Sequence, residues 1–357
     1  MPAGTLETDQ LGHQLKVYQD KSQLPDISGS DIALIGLSAK SSDPIRKALY
    51  NLSNAFQGLE IVDLGNLRKQ TIPFAVNLLS EIQASGIFPV LIGDQPKLLN
   101  ALYQALNLNY QSINVSVIDE RFPVDSNSHR SDKYYLNGLY NDQVTPIFHT
   151  SVIGFQSYFT GPKQLKFCTD RHFDLLRLGL AKADLRETEP LLRDADLIGL
   201  NLSSLSSVEF PAVTNPNPSG FSIEEGCRMC RYAGMSDKLK GLSLLGYEAS
   251  EDRRGESAMA VAQMMWYFFE GYYNRKNDFP VSTDGLVEYI VDLKTLDYQL
   301  TFWKSQKTGR WWLQVPVDVK NAQQRHRLVP CSYGDYQMAI NDELPQRLIN
   351  AFHRFGL

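Results

Sequence analysis

Three short stretches carry residue types that can do chemistry: Gly93-Asp94-Gln95-Pro96, Asp119-Glu120-Arg121-Phe122-Pro123 and Asn201-Leu202-Ser203-Ser204, each following an apolar run. Carboxylates at such strand ends are what a pair of divalent cations requires, since several negative ligands must offset the repulsion between the ions while imidazoles complete the shell. Asp94, Asp119 and Glu120 would supply part of that set, but Gln95, Asn201 and Ser203 are poor ligands for hard cations and Arg121 repels them. Asp119 and Arg121 lie two apart, which points both side chains to one side of an extended chain. Arg121 is therefore expected to neutralise Asp119, closing the site with a fixed charge. The plainer alternative, two solvated loop residues, fits poorly with the apolar run before Asp119.

Other motifs carry less. Cys227-Arg228-Met229-Cys230 has the spacing of half a zinc or redox site, but it falls in a helical pattern at residues 223–232 with no second ligand pair nearby, so a structural role is expected. His129, in Asn127-Ser128-His129-Arg130, is read as part of a solvent-exposed polar turn, and Asn137-Gly138 and Asp284-Gly285 read as turns. No G-x-G-x-x-G, P-loop or nucleophile elbow is present.

Composition narrows the class. With 43% hydrophobic and 21% charged residues, 357 residues can bury one large core and a smaller appended unit. Thirty-five basic against forty acidic residues, a net charge of -5, exclude a general polyanion-binding surface, and no nucleic-acid partner is expected. Residues 1–30 are polar, without an apolar run long enough for a signal peptide or membrane span, so a cytoplasmic location without membrane contact is expected. Four cysteines (Cys168, Cys227, Cys230, Cys331) are too few for a disulfide scaffold.

The elements that must position the three stretches alternate. Strands are expected at residues 31–37, 59–64, 88–93, 112–118, 149–155, 197–202 and 241–247, and helices at 45–56 (opened by Pro44), 73–83, 97–106, 223–232 and 256–273. The helix around residues 258–273 is apolar nearly all round, which reads as core packing. This order specifies an α/β fold with a mostly parallel sheet covered on both faces, whose sites lie at the carboxyl ends of strands. Residues 1–30 form a polar N-terminal segment, 31–277 the α/β domain and 278–357 a small α+β appendage.

That appendage is expected to contain a β-hairpin. Residues 286–293 and 298–303 are strand-like, Lys307-Thr308-Gly309-Arg310 turns, and 311–315 returns. Trp303, Trp311 and Trp312 with Lys304, Lys307 and Arg310 would then interleave aromatic and basic groups on a surface suited to a protein partner. Residues 343–355 read as an amphipathic helix, covering the hairpin or facing another subunit.

Two blocks carry a family resemblance: Ser207-Val208-Glu209-Phe210-Pro211-Ala212 through Asn215-Pro216-Asn217-Pro218-Ser219-Gly220-Phe221 to Arg231-Tyr232-Ala233-Gly234-Met235-Ser236, and Phe173-Asp174-Leu175-Leu176-Arg177-Leu178-Gly179 with Glu189-Pro190-Leu191-Leu192-Arg193. Over about residues 30 to 275 the chain resembles the arginase and ureohydrolase superfamily, and looks most like its formimidoylglutamase-type members. The resemblance implies an arginase-like α/β/α fold and, in the family, two manganese ions held by G-G-D-H, D-A-H-x-D and S-x-D-x-D. Here those motifs read Ile92-Gly93-Asp94-Gln95, Asp119-Glu120-Arg121-Phe122-Pro123 and Gly199-Leu200-Asn201-Leu202-Ser203. Of six ligands only Asp119 is retained, so no metal cofactor is expected.

The resemblance then implies a noncatalytic member of the family that binds a protein partner or works within an assembly. An alternative is an active metal-dependent hydrolase of a formimidoyl or guanidino substrate, rearranged around Asp94, Asp119, Glu120 and Glu248. The resemblance also aligns Glu248 with a carboxylate of the family's substrate pocket, where Arg121 would neutralise it, and a further expectation is a small-molecule ligand in the vestigial pocket, anchored by Glu248 and Arg121.

Overall fold

The computed structural model describes residues 6–18, 26–110, 112–124, 134–141, 147–280, 283–294, 297–315 and 328–355. Nine strands make the main sheet: β1 (Lys16–Val17), β2 (Ile32–Gly36), β3 (Ile61–Asn66), β4 (Phe88–Gly93), β5 (Asn114–Ile118), β6 (His149–Phe155), β7 (Asp174–Arg177), β8 (Leu197–Asn201) and β9 (Gly241–Leu245). Their spatial order is β1-β3-β2-β4-β9-β8-β5-β6-β7, and every pairing is parallel. Strands β2, β4, β5, β6 and β9 are buried at every position, which is why they read as largely apolar runs without alternation.

Successive strand residues serve opposite layers. Ile32, Leu34, Val90 and Ile92 join one core with the helices Ala39–Tyr50, Ile223–Gly234 and Glu256–Tyr273, while Ala33, Ile35 and Leu91 join the other with Ile72–Ala84 and Leu99–Asn107. The result is a three-layer α/β/α arrangement. Strands β4 and β5 follow one another in sequence, yet β9 and β8 lie between them in the sheet. Such a switch in strand order opens a crevice at the carboxyl ends.

Several boundaries differ from expectation. The first large helix runs Ala39–Tyr50 with Pro44 inside it, because Ser38 caps its start by accepting from the Ser41 amide (3.1 Å). A proline that far in removes only the bond to Lys40, an exposed first-turn residue. Asn137-Gly138 opens a short helix, Asn137–Asn141, instead of forming a turn. The described part of residues 1–30 is joined to the main sheet, since β1 pairs with β3. Asp284-Gly285 does turn, with Gly285 at φ +75°. Cys227 and Cys230 are buried in the Ile223–Gly234 helix as free thiols. His129 lies outside the described residues. Among those residues no helix is long and apolar enough to cross a membrane.

The appendage is larger than a hairpin. β10 (Leu286–Leu293), β11 (Tyr298–Ser305), β12 (Trp311–Gln314) and β13 (Leu328–Cys331) form an antiparallel sheet in that order, followed by the helices Tyr333–Ile340 and Gln346–Phe355. Leu300, Phe302, Leu313, Val329, Leu348 and Ala351 give this unit its own core. Both faces are covered at β12, and that corrects the expectation of an exposed tryptophan surface. Trp311 (7% exposed) stacks on Tyr336 with centroids 4.7 Å apart, and Trp312 (1%) lies on the other face against the Arg193 guanidinium, 4.6 Å from its ring. Arg310 turns inward to Glu189 (3.2 Å), Trp303 is half-buried and donates to Gln314 (2.7 Å), and Lys304 sits 5.3 Å from the Trp311 ring. Lys307 alone of the six is fully on the surface.

The two units are riveted by charge. Arg193 donates to the carbonyls of Trp311 (3.1 Å) and Cys331 (3.3 Å), Arg354 pairs with Asp194 (2.6 Å), and Asn350 donates to Asp174 (2.6 Å). Burial alone would raise the Asp194 carboxyl, but Arg354 and Lys238 hold it well below the usual carboxylate range.

Within the main domain the helices Ile223–Gly234 and Glu256–Tyr273 cross at glycines. A Cβ on Gly271 would lie 2.3 Å from the Arg231 carbonyl oxygen, and one on Gly234 would lie 2.2 Å from that of Phe268. Backbone oxygens cannot swing aside as side-chain tips do. Gly271→Ala is expected to lower unfolding stability by about 1–3 kcal/mol through forced separation of the helices, read from the urea midpoint; an unchanged midpoint would contradict this crossing.

Candidate functional site

The crevice holds a cavity of about 370 Å³ across the ends of β4, β5, β8 and β9, lined by Asp94 and Gln95, Asp119 to Arg121, Asn201 and Ser203, and Gly246, with Val213, Thr214 and Asn215 from the Asn-Pro loop. Six of the seven expected pocket residues, Asp94, Gln95, Asp119, Arg121, Asn201 and Ser203, are thereby brought together. Glu248 is not among the lining residues. It caps the short turn Ala249–Glu251, accepting from the Ser250 hydroxyl (2.6 Å), and pairs with Lys40 (3.2 Å). The expected Glu248–Arg121 contact is absent, because each group is satisfied by its own neighbours.

Asp119 is the centre of the site. It is 2% exposed, and its carboxylate accepts from the Tyr135 hydroxyl (2.9 Å) and the Asn201 amide (2.9 Å) at Oδ2, and from the Arg121 backbone amide (3.0 Å) at Oδ1. Asn201 is itself oriented by the Ser203 amide, which donates to its Oδ1 (3.3 Å). Close approach of β9 helps to fix that orientation: Gly246 (φ +98°) has room for no side chain, since a Cβ there would stand 2.8 Å from Asn201 Oδ1. Burial raises the Asp119 carboxyl to about 6, with the bonds from Asn201, Arg121 and Tyr135 opposing the rise.

Arg121 does not pair with Asp119 through its side chain, which corrects the expectation of direct neutralisation. Its Nε donates to Glu120 (3.1 Å), and its guanidinium covers the Phe159 ring at 3.6 Å. Glu120, also 2% exposed, accepts at its other oxygen from Asn217 (2.9 Å). A cation two residues from Asp119 points the right way, but the adjacent buried carboxylate has the stronger claim on it. At the β4 end Asp94 accepts from Ser41 (3.1 Å) and Gln95 bonds Gln70.

Tyr135 and Asn217 were not legible as site residues. Tyr135 belongs to no motif, whereas Asn217 sits in the Asn-Pro loop whose unusual composition was the available signal. Chemically the site is a closed set of hydrogen-bonded carboxylates, with polar donors where a cation-binding site needs acceptors.

The sign of the pH dependence follows. An unfolded aspartate titrates near about 3.9, and Asp119 in the fold at about 6. Below the lower value both states are protonated; between the two values the fold keeps a proton that the unfolded chain has lost, so stability falls as pH rises through that window, by about 3 kcal/mol in all. Carboxyl 13C titration of Asp119 is expected to give a midpoint near 6 that moves higher in Asn201→Ala; a midpoint at the ordinary value would contradict this bonding.

No protein-family model and no curated protein matches the chain. Solved structures do. A formiminoglutamase from Trypanosoma cruzi, crystallised with Mn2+, superposes with a TM-score of 0.63 at 17% identity over 69% of this chain and 94% of that one. A formimidoylglutamase from Bacillus subtilis gives 0.63 at 15% identity over 76% and 94%, and an arginase from Bacillus cereus gives 0.56 at 16% over 67% and 98%. Asp119 accepts from three donors, Arg121 brings a guanidinium to the lining, and among the described residues no cluster of three His, Cys, Asp or Glu is placed to hold a metal. The chain carries the fold of the arginase and formimidoylglutamase structures.

Proposed function

We propose that the protein is a noncatalytic member of the arginase and formimidoylglutamase group, acting by binding a protein partner or within an assembly. The observation that carries this reading is the Asn201 amide donating to Asp119. In a metal-dependent hydrolase the buried carboxylate directs its lone pairs at a cation, which lowers the pKa of a bound water to generate hydroxide. Here a neutral amide and a phenol occupy those lone pairs, and reversing their polarity would take several coordinated substitutions. The alternative, a hydrolase of a formimidoyl or guanidino compound with a rearranged site, has Asp94, Asp119 and Glu120 in the cleft to support it, but Glu120 is closed by Arg121 and Asn217 and Glu248 by Lys40.

Manganese titrated into the purified protein is expected to give no saturable heat, and formimidoylglutamate, arginine and agmatine no release of product. Stoichiometric manganese binding, or turnover that a chelator abolishes, would establish the hydrolase instead.

A contact surface is supported at β10, the outer strand of the small sheet, where Val287 is 37% and Ile290 59% exposed. Apolar side chains along an uncovered sheet edge favour association. Ile290→Lys is expected to shift sedimentation toward the smaller species while leaving the unfolding midpoint within about 0.5 kcal/mol of the parent; identical sedimentation would remove β10 from the assembly.

A further inference from the structure

The free edge of the small sheet has a definite parity. The Gln306 amide donates to the Gly285 carbonyl (3.1 Å) and the Ser305 amide to that of Arg310 (2.8 Å), so along β11 even-numbered residues bond toward β10 and odd-numbered ones toward β12. The ladder sets Leu286 opposite Ser305 and Leu293 opposite Tyr298, which turns the backbone of Val287, Tyr289 and Val291 inward and that of Glu288, Ile290 and Asp292 outward. Among the described residues the outward N–H and C=O groups of those three have no partner. Their side chains are exposed too, as is Lys294, the first residue past the strand. Among the described residues neither Glu288 nor Lys294 has an ion-pair partner, and the Asp292 carboxylate accepts only from Gln299 (2.8 Å).

A row of unpaired donors and acceptors is a template for another strand. In a two-fold dimer the facing strands run antiparallel, and outward-turned residues must meet outward-turned residues, so the possible registers differ by steps of two. Centred on Ile290, Glu288 meets Asp292 of the second copy on both sides of the axis, like charges directly opposite. Centred on Glu288 or Asp292, that residue meets its own copy. Centred on Tyr289, the ladder needs the Leu286 N–H, which is already donated to the Thr283 carbonyl (3.1 Å). Centred on Val291, Ile290 lies opposite Asp292 and Glu288 opposite Lys294, so the one ammonium group past the strand meets the carboxylate that lacks a partner.

We propose that β10 pairs with β10 of a second copy of this chain, antiparallel and in the register centred on Val291, with Glu288 and Lys294 joined across the two-fold axis. This rests on the contact surface proposed at that strand and names its occupant. The two four-stranded sheets then become one continuous sheet. Val291 faces Val291 of the second copy in a non-hydrogen-bonded pair, where Cα atoms of antiparallel strands approach to about 4.5 Å.

The test is sedimentation velocity of the full chain over a concentration series, where the parent is expected to show a monomer–dimer equilibrium. Glu288→Lys and Lys294→Glu should each weaken the dimer by about tenfold, because each turns two opposite-charge pairs into like-charge pairs. The double variant should return to about the parent affinity, since the swapped charges meet again across the axis. A partner other than a second copy would not give that restoration. Val291→Cys should form a disulfide-linked dimer on mild oxidation and Ile290→Cys should not, as only the former lies on the axis; the four native cysteines are buried and do not compete. A parent that stays monomeric, a double variant as weak as the single ones, or cross-linking through Ile290→Cys but not Val291→Cys would each overturn the pairing. A dimer broken by Ile290→Lys yet indifferent to both charge reversals would overturn this register while leaving the contact surface at β10 standing.

Discussion

The hydrogen bonds converging on Asp119 constrain everything around the main crevice. A buried carboxylate needs donors or a cation, and this one has a phenol, an amide and a backbone N–H within 3.0 Å. To supply them the fold must hold β8 beside β5 in register, so that Asn201 reaches across from its strand end, and must bring Tyr135 in from a separate segment. Glu120, the next residue, then faces the Asn-Pro loop and recruits Asn217 and Arg121. Two neighbouring buried carboxylates are thus satisfied by separate sets of neutral and cationic groups.

Much of the main sheet was legible because its signal is local. Strands β4 and β6 fall at the expected residues, and the helix Glu256–Tyr273 does too, since unbroken apolar runs and capping residues act within a few positions. Pro44 misled because a proline reads as a helix start, while the serine cap six residues earlier overrides it. At the site, the convergence of three strand ends was readable from the rule that parallel sheets place their crevices at carboxyl ends. Which charge would take which partner was not. Arg121 had Asp119, Glu120 and Glu248 as candidates by sequence, and only packing around Phe159 and Asn217 decides for Glu120.

The tryptophans of the C-terminal unit show the same limit. Alternation along β12 correctly puts Trp311 and Trp312 on opposite faces, but exposure depends on what lies beyond each face. One face meets the unit's own Tyr336, and the other meets Arg193 from a helix more than a hundred residues away in sequence. Long-range burial of this kind leaves no periodic trace. The short strand β13, with Pro330 inside it, gives an equally weak signal.

The rivets across the seam make the C-terminal unit a keystone and not an ornament. Were the chain severed between the two sheets, Arg193 would lose the carbonyls of Trp311 and Cys331, and Asp194 and Asp174 would lose Arg354 and Asn350. An excised α/β half would keep Glu189 on Arg193, Lys238 on Asp194 and His149 on Asp174, so its bared wall would stay charge-paired but lose the donors and acceptors that the C-terminal unit adds.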